Sequence, residues 1–379
     1  MSFEDDVKAE AFHLGFSLCG LAAAQPQAQH AAVYEDWLAA GHHAQMGYLA
    51  AESARLRRAD PSLTLPGVRT VLTVGLPYPN PARAAAPADG RLRGRTAAYS
   101  WGQDYHDRIP PRLNQLAVFL ETRLGLPLAH RAYTDTGPLL ERAWGQQAGL
   151  GWFGKNSCLI HPRGGSAFLL GELLLDVELQ PDVPWEADRC GSCTRCLDAC
   201  PTGCILPNRT LDARRCLSYW TIENKGLIPV ELRPSLGNWV FGCDICQQVC
   251  PWNQHAAPSQ VDAAFDFTPE EAFPDLLEAL SLSPVDFNRS FRRTPLARTK
   301  RRGFLRNAAV ALGNLGDPAA APALIHTLEN EPEPLVRAHA AWALGQLHHP
   351  RVRPALEHAQ LTDPDPSVRL EAAGALAAL

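Results

Sequence analysis

Nine of the chain's eleven cysteines lie between Cys190 and Cys250, and their spacing limits the fold more than any other feature. Cys190, Cys193, Cys196 and Cys200 form a C-x2-C-x2-C-x3-C run closed by Pro201. Bacterial ferredoxins hold [4Fe–4S] clusters with this spacing: three thiolates wrap one cubane, and the fourth, turned aside at the proline, ligates a second. Cys243, Cys246 and Cys250, followed by Pro251, match the last three positions, with Val240 where a first cysteine would stand. Cys216, between the runs, is the natural replacement. The cross-over rule then assigns Cys190, Cys193, Cys196 and Cys250 to one cluster, and Cys200, Cys216, Cys243 and Cys246 to the other. Zinc sites also use C-x2-C pairs, but the x2-x2-x3-Cys-Pro spacing suits zinc poorly. Cys204 is an alternative ligand for the second set, while Cys19 and Cys158 fit neither, and Cys19 reads as a core thiol. An odd, clustered set argues against a disulfide framework and for an intracellular redox protein.

The remaining sequence sets these cysteines in a larger frame. A length of 379 residues points to two or three domains, and a net charge of −5 gives no bulk sign of a nucleic-acid binder. No apolar run approaches the roughly 18 residues that span a bilayer. The acidic, amphipathic start (MSFEDDVKAEAFHLGF) resembles no signal peptide, so a cytoplasmic location without membrane attachment is expected. Residues 1–180 mix helices and strands and predict an α+β or α/β domain, with α+β the expectation. Strands are expected at Val68–Leu76 and Ala167–Val177, and helices at Arg112–Leu124 and Leu139–Gly149. Residues 181–260 form the two-cluster module, and 261–300 a linker. Within Asn288–Arg306, eight cations stand without one acid, which suits either a solvated face or a polyanion site. In 301–379 an Ala/Leu helix recurs with its arginines, Arg306, Arg337 and Arg369, spaced 31 and 32 residues apart. That period is the mark of a HEAT-like α-solenoid.

Three further segments carry candidate chemistry. Tyr133-Thr134-Asp135-Thr136-Gly137-Pro138 puts an acid on a loop ahead of a helix, where Asp135 is either a turn or N-cap acid or a functional one. Gly149–Ser157 (GLGWFGKNS) is glycine-rich, and its backbone can approach a flat cofactor or a phosphate; Asn156 after Lys155 excludes a P-loop. Asp104-Tyr105-His106 opens like a cobalamin-ligating D-x-H motif but has Ile109 where glycine should follow, so His106 is expected in a pocket or structural role.

Phe3–Gly20, Trp101–His106, the Asp135 loop, Ala148–Asn156, both cysteine runs and the repeats together resemble the epoxyqueuosine reductases. The resemblance covers nearly the whole chain. It implies cobalamin bound base-off on a flavin-reductase-like core, two [4Fe–4S] clusters, and reduction of epoxyqueuosine to queuosine at the tRNA wobble position. It puts Asp135 in the place of the proton donor. It implies cofactor contacts at Arg57, Tyr99, Ser100, His106, Asp135, Lys155, Asn156, Ser157, Cys158 and Asp244. It implies tRNA contacts at Tyr219, Thr221, Asn224, Lys225, Arg298, Lys300, Arg301 and Arg302. Some relatives place a cysteine near Tyr99 and Ser100, and this chain has none there. A monomer fed by a reduced ferredoxin- or flavodoxin-type donor is expected. A corrinoid dehalogenase-like reductase of small molecules, or a ferredoxin-like carrier with a scaffold tail, are the competing readings.

Overall fold

The computed structural model describes residues 2–257 and 260–379. The chain packs as two compact units, each assembled from separate segments: Met1–Ala84, Gln103–Arg214 and Asp244–Asp266 in the first, Ala85–Gly102, Arg215–Cys243 and Phe267–Leu379 in the second. Of the cysteines assigned to clusters, Cys216 and Cys243 belong to the second unit and the other six to the first.

The first unit is built on a four-stranded, wholly antiparallel sheet. The sheet and the helices that frame the site are α1 (Phe3–His13), β1 (Leu18–Ala23), β2 (Thr70–Pro77), α2 (Ile109–Leu124), β3 (His130–Tyr133), α3 (Glu141–Gln147) and β4 (Phe168–Leu175), with strand order β1-β2-β4-β3. A capping box between Ser2 and Asp5 starts α1. Prolines in the first turn and Gly125 in the left-handed region bound α2. The central strands β2 and β4 are apolar runs because both of their faces are covered. Leu173 and Leu175 point to one face, and Leu170, Glu172 and Leu174 alternate onto the other. On that second face Leu174 packs with Val71, Leu159 and the fully buried Trp144 of α3. The mixed architecture matches the α+β expectation, and both expected strands and both expected helices are present.

The second unit ends in five helices: α4 (Lys300–Leu315), α5 (Ala321–Asn330), α6 (Pro334–Leu344), α7 (Val352–Thr362) and α8 (Pro366–Ala378). Helices α4, α6 and α8 pack in succession, backed by α5 and α7. Small residues let the first row close up. A Cβ on Gly313 would lie 2.9 Å from the Ala343 Cα, and one on Gly345 would lie 2.7 Å from the Ala375 Cβ. The recurring arginines clamp loop carbonyls. Arg337 donates to Glu331 O and Pro332 O, and Arg369 to Asp363 O and Pro364 O. In the first repeat Arg306 instead satisfies Trp220 O, Asn224 O and Gly226 O. Among the described residues, no helix is long and apolar enough to cross a membrane.

Candidate active site and cluster ligands

Strand β3 delivers the chain to the loop that carries Asp135. Thr134 anchors the loop through Oγ1–H to Leu170 O on β4 (2.6 Å). Asp135 then turns with φ +58°, a left-handed conformation that costs a residue with a Cβ. Its N–H donates to the Glu141 carboxylate at the start of α3. Asp135 caps no helix, since α3 begins behind Leu140 without a side-chain cap. The Asp135 carboxylate accepts the Tyr105 hydroxyl at 3.0 Å and lies 3.6 Å from His106 Nε2, an ion-pair contact too long for a hydrogen bond. On the other side of the ring, His106 Nδ1 is 2.7 Å from Asp104 Oδ1.

These contacts fix the charges. Burial alone would lower the His106 imidazole, but Asp104 and Asp135 outweigh it and lift it to about 9, so the ring is cationic at neutral pH. The His106 cation, with Tyr105, holds Asp135 below the ordinary carboxylate value against the effect of burial. The proton that a donor in the place of Asp135 needs therefore resides on its neighbour. Behind the loop the trend reverses: burial and the Asp135 charge lift Glu141 to about 7, and burial with Glu141 pushes Glu172 far above the carboxylate range. The Asp135 side chain is 65 % exposed. The buried His106 Nε2 has no hydrogen-bond partner there. An open acid beside a buried ring nitrogen that makes no hydrogen bond fits a site for a large polar cofactor.

The GLGWFGKNS segment grips the cysteine loops. Trp152 Nε1–H donates to Cys190 Sγ (3.5 Å), and Lys155 Nζ donates to Gly191 O (2.8 Å) and Cys193 O (2.9 Å). Asn156 Nδ2 reaches Cys246 O (3.4 Å), and the Ser157 hydroxyl donates to Arg209 O (2.6 Å). Three residues expected at the cofactor thus turn their side chains to the cysteine module or its neighbour. Burial pushes the Cys158 thiol up to about 11, which marks it as an inert thiol. Asp244 is buried near Tyr78, whose hydroxyl donates to Gln247 Oε1, and Arg57 is exposed on helix Glu52–Ala59. In the second unit Ser100 is buried with its hydroxyl on Ala97 O, and the Tyr99 ring packs against Phe241.

All eleven cysteines are free thiols. Cys190 and Cys250 share an apolar cluster with Trp152, Trp185 and Trp252. Burial raises Cys196 and Cys250, and neighbouring thiolates raise them further: Cys250 and Cys190 act on Cys196, and Cys190 and Cys193 on Cys250. Four thiols that sense each other's charge fit the first cluster set. Among the described residues no three His, Cys, Asp or Glu side chains converge as the ligands of a single ion would. Cys204 lies 3.5 Å from Cys200 and holds that thiol down to about 4.

Of the residues expected at tRNA, Tyr219, Thr221 and Asn224 are buried. They belong to a π-helical turn, Tyr219–Glu223, and the residue after it. Asn307 and Arg306 satisfy the carbonyls of that turn. Lys225, Arg298, Lys300 and Arg302 are exposed. Arg298 pairs with Glu223, and Arg301 is engaged by Glu331 and Leu282 O. Sequence reasoning missed Tyr105, Trp152, Glu141 and Glu172. Tyr105 and Trp152 lie inside segments the sequence singled out but without a role of their own, and Glu172 left a signal as a lone acid inside the apolar run AFLLGELLLDV.

Family models match three stretches: a 4Fe–4S double cluster binding domain at 189–253, epoxyqueuosine reductase QueG (DUF1730) at 58–136, and HEAT repeats at 294–377. The chain is 40% identical over 331 residues to the epoxyqueuosine reductase of Pseudomonas aeruginosa, covering 86% of this chain and 89% of that one. It is 38% identical to that of Salmonella typhimurium, covering 88% and 85%. An epoxyqueuosine reductase solved with an epoxyqueuosine-modified tRNA stem loop superposes with a TM-score of 0.92 at 32% identity, covering 99% and 98% of the two chains. A Bacillus subtilis epoxyqueuosine reductase, with its catalytic aspartate loop swung out of the active site, gives 0.91 at 31%, covering 99% and 98%. A ferredoxin-type cysteine module together with an acid–imidazole site defines an iron–sulfur oxidoreductase. The chain belongs to the epoxyqueuosine reductase family.

Proposed function

We propose that this enzyme reduces epoxyqueuosine to queuosine in tRNA, the last step of queuosine biosynthesis, using cobalamin and two [4Fe–4S] clusters. The observation that carries it is the Tyr105–Asp135–His106 site, an exposed acid flanked by a phenol and an imidazole. Arg57, Tyr99, Ser100, His106, Asp135, Cys158, Asp244 and the backbone of Lys155–Ser157 are the residues proposed to hold cobalamin. When bound, cobalamin supplies the low-valent metal chemistry that opens a strained C–O bond.

The chain's own groups handle charge and protons. Cys190, Cys193, Cys196 and Cys250, and Cys200, Cys216, Cys243 and Cys246, are the proposed thiolate ligands. A reduced ferredoxin- or flavodoxin-type donor is the proposed source of electrons. Opening an epoxide generates an alkoxide, which a dry site cannot hold without a proton or strong donors. Substrate closing over Asp135 would strip its water and raise its pKa, drawing the proton from His106 onto the carboxyl, which then gives it to the oxygen. Two electrons from the donor and a second proton, resupplied from solvent through His106, then balance the loss of that oxygen as water when the remaining C–O bond breaks and the alkene forms. Asp104 keeps the imidazole oriented throughout. Lys225, Arg298, Lys300 and Arg302 are the proposed phosphate contacts, with Tyr219, Thr221 and Asn224 as the scaffold beneath them.

The test is turnover of a tRNA stem loop bearing the epoxide, followed by mass spectrometry, with a chain carrying ~8 irons and one corrinoid. Loss of one oxygen from the modified base is the expected product. No conversion by fully loaded enzyme with a chemical reductant would overturn the proposal.

A further inference from the structure

Glu172 stands in the middle of β4 and has no solvent exposure. Strand alternation points it at α3, with Thr73 of β2 and Tyr133 of β3 directly opposite in register. Neither carboxyl oxygen accepts a hydrogen bond from any described residue, and Thr73 Oγ1 is also without a partner. A buried carboxylate in such a place would cost several kcal/mol. A neutral carboxylic acid costs far less, but its O–H then needs an acceptor. Helix α3 packs on this strand, and Glu141 in its first turn is the carboxyl whose charge acts on Glu172. Glu141 in turn accepts the Asp135 N–H, at the residue whose backbone sits in the left-handed region.

We propose that Glu172 and Glu141 form a carboxylic acid–carboxylate pair sharing one proton, and that this pair is a positioning device that fixes the Asp135 loop in its working conformation. It rests on Asp135 being the proton donor. The chain of contacts is continuous: Glu172 gives its proton to Glu141, the negative charge stays on Glu141, and that charge accepts the Asp135 N–H. A charge-assisted acceptor offsets the backbone cost that the loop would otherwise relieve by flipping. The other ionisable groups facing the pair are Asp135, which makes it harder to ionise, and Arg142, which makes Glu141 easier to ionise. Arg142 is itself tied to Ser157 O (2.7 Å) and supplies no hydrogen bond to Glu172. Burial and the Glu141 charge both act to keep the Glu172 proton in place.

The first arm of the test uses infrared difference spectroscopy on folded protein at pH 7. Wild type should show the C=O stretch of a protonated, hydrogen-bonded carboxyl that Glu172→Gln removes; absence of that band overturns the pair. The second arm is kinetic. Glu172→Leu keeps the apolar volume but abolishes the shared proton, and should lower kcat by roughly 10²-fold, the cost of a misplaced group, with little change in KM for the stem loop. Glu172→Gln, whose amide still donates to Glu141, should recover much of that loss. Normal kcat in Glu172→Leu, or a Gln variant as impaired as Leu, overturns the positioning role. If Glu172→Leu does not fold, the infrared arm and the Gln variant still decide. Asp135→Asn is run alongside. An active Asp135→Asn protein would sink the proton-donor assignment and leave the infrared result standing on its own.

Discussion

A side chain proposed to donate a proton at neutral pH must have access to one, and Asp135 does not hold it by itself. Its carboxylate is kept low by His106 and Tyr105, while His106 is raised to about 9. Two outcomes follow. Asp135→Asn preserves shape but has no acidic proton, so turnover should fall by roughly the 10²–10⁴ typical of a general acid, with cluster content and stem-loop affinity intact. Unchanged turnover would leave the donor unassigned. The second outcome is a pH profile. The His106 pKa is raised on folding, so the stability it contributes is complete below the unfolded value of about 6.5 and is lost as pH climbs through about 9. The proton store empties over the same range. Single-turnover rates should therefore decline on the alkaline side with a midpoint about 9, and His106→Gln should lose that limb; a midpoint close to 6.5 would contradict the pairing with Asp104 and Asp135.

At the scale of elements, the glycine-rich segment joins the acid site to the cysteine module. Lys155 holds the loop between Cys190 and Cys193 through two carbonyls, and Trp152 donates to the Cys190 sulfur. Partners that orient metal ligands typically contribute 10–100-fold in affinity. Lys155→Met should thus release iron from the Cys190 cluster roughly 10–100-fold more readily to a chelator, while the resonance signal of the other cluster persists; equal loss from both would assign Lys155 a general folding role. Much of this level could be read from the sequence. Val68–Leu76 and Ala167–Val177 announced β2 and β4, because a strand covered on both faces must be apolar throughout. Gly125 marked the end of α2 because few other residues accept its left-handed turn. Partnership was not legible. Nothing local states that β4 lies between β2 and β3, or that Tyr105 and His106 reach a loop thirty residues on. The same gap hid Lys155, whose neighbours suggested a cofactor loop while its ammonium went to cysteine-loop carbonyls. It hid the Glu141–Glu172 pair as well, since its two acids come from α3 and β4.

For the molecule as a whole, a net charge of −5 and a tRNA substrate are reconciled by how the cations are spent. The run from Asn288 to Arg306 offers eight, but many are consumed internally. Arg306 is fully buried under loop carbonyls, Arg301 pairs with Glu331, Arg298 pairs with Glu223 and Arg289 with Asp286. Arg292, Arg293, Lys300 and Arg302 are exposed, with no acidic partner among the described residues. One basic run therefore contains two physically different kinds of arginine, and charge reversal should separate them. Arg302→Glu and Lys300→Glu remove exposed cations proposed to face RNA phosphates. Each should weaken stem-loop binding and reduce the slope of log K against log salt by about 0.7–0.9, with the melting temperature unmoved. Arg301→Glu acts elsewhere. Its side chain is only 17 % exposed against a Glu331 side chain 6 % exposed, so reversal sets two acids face to face in a half-dry site. That should cost about 3 kcal/mol or more of stability, read as a lower denaturant midpoint, and should weaken binding only as far as the unit unfolds. Should Arg301→Glu instead flatten the salt slope at unchanged stability, Arg301 would be a phosphate ligand and its pairing with Glu331 would have to open for tRNA.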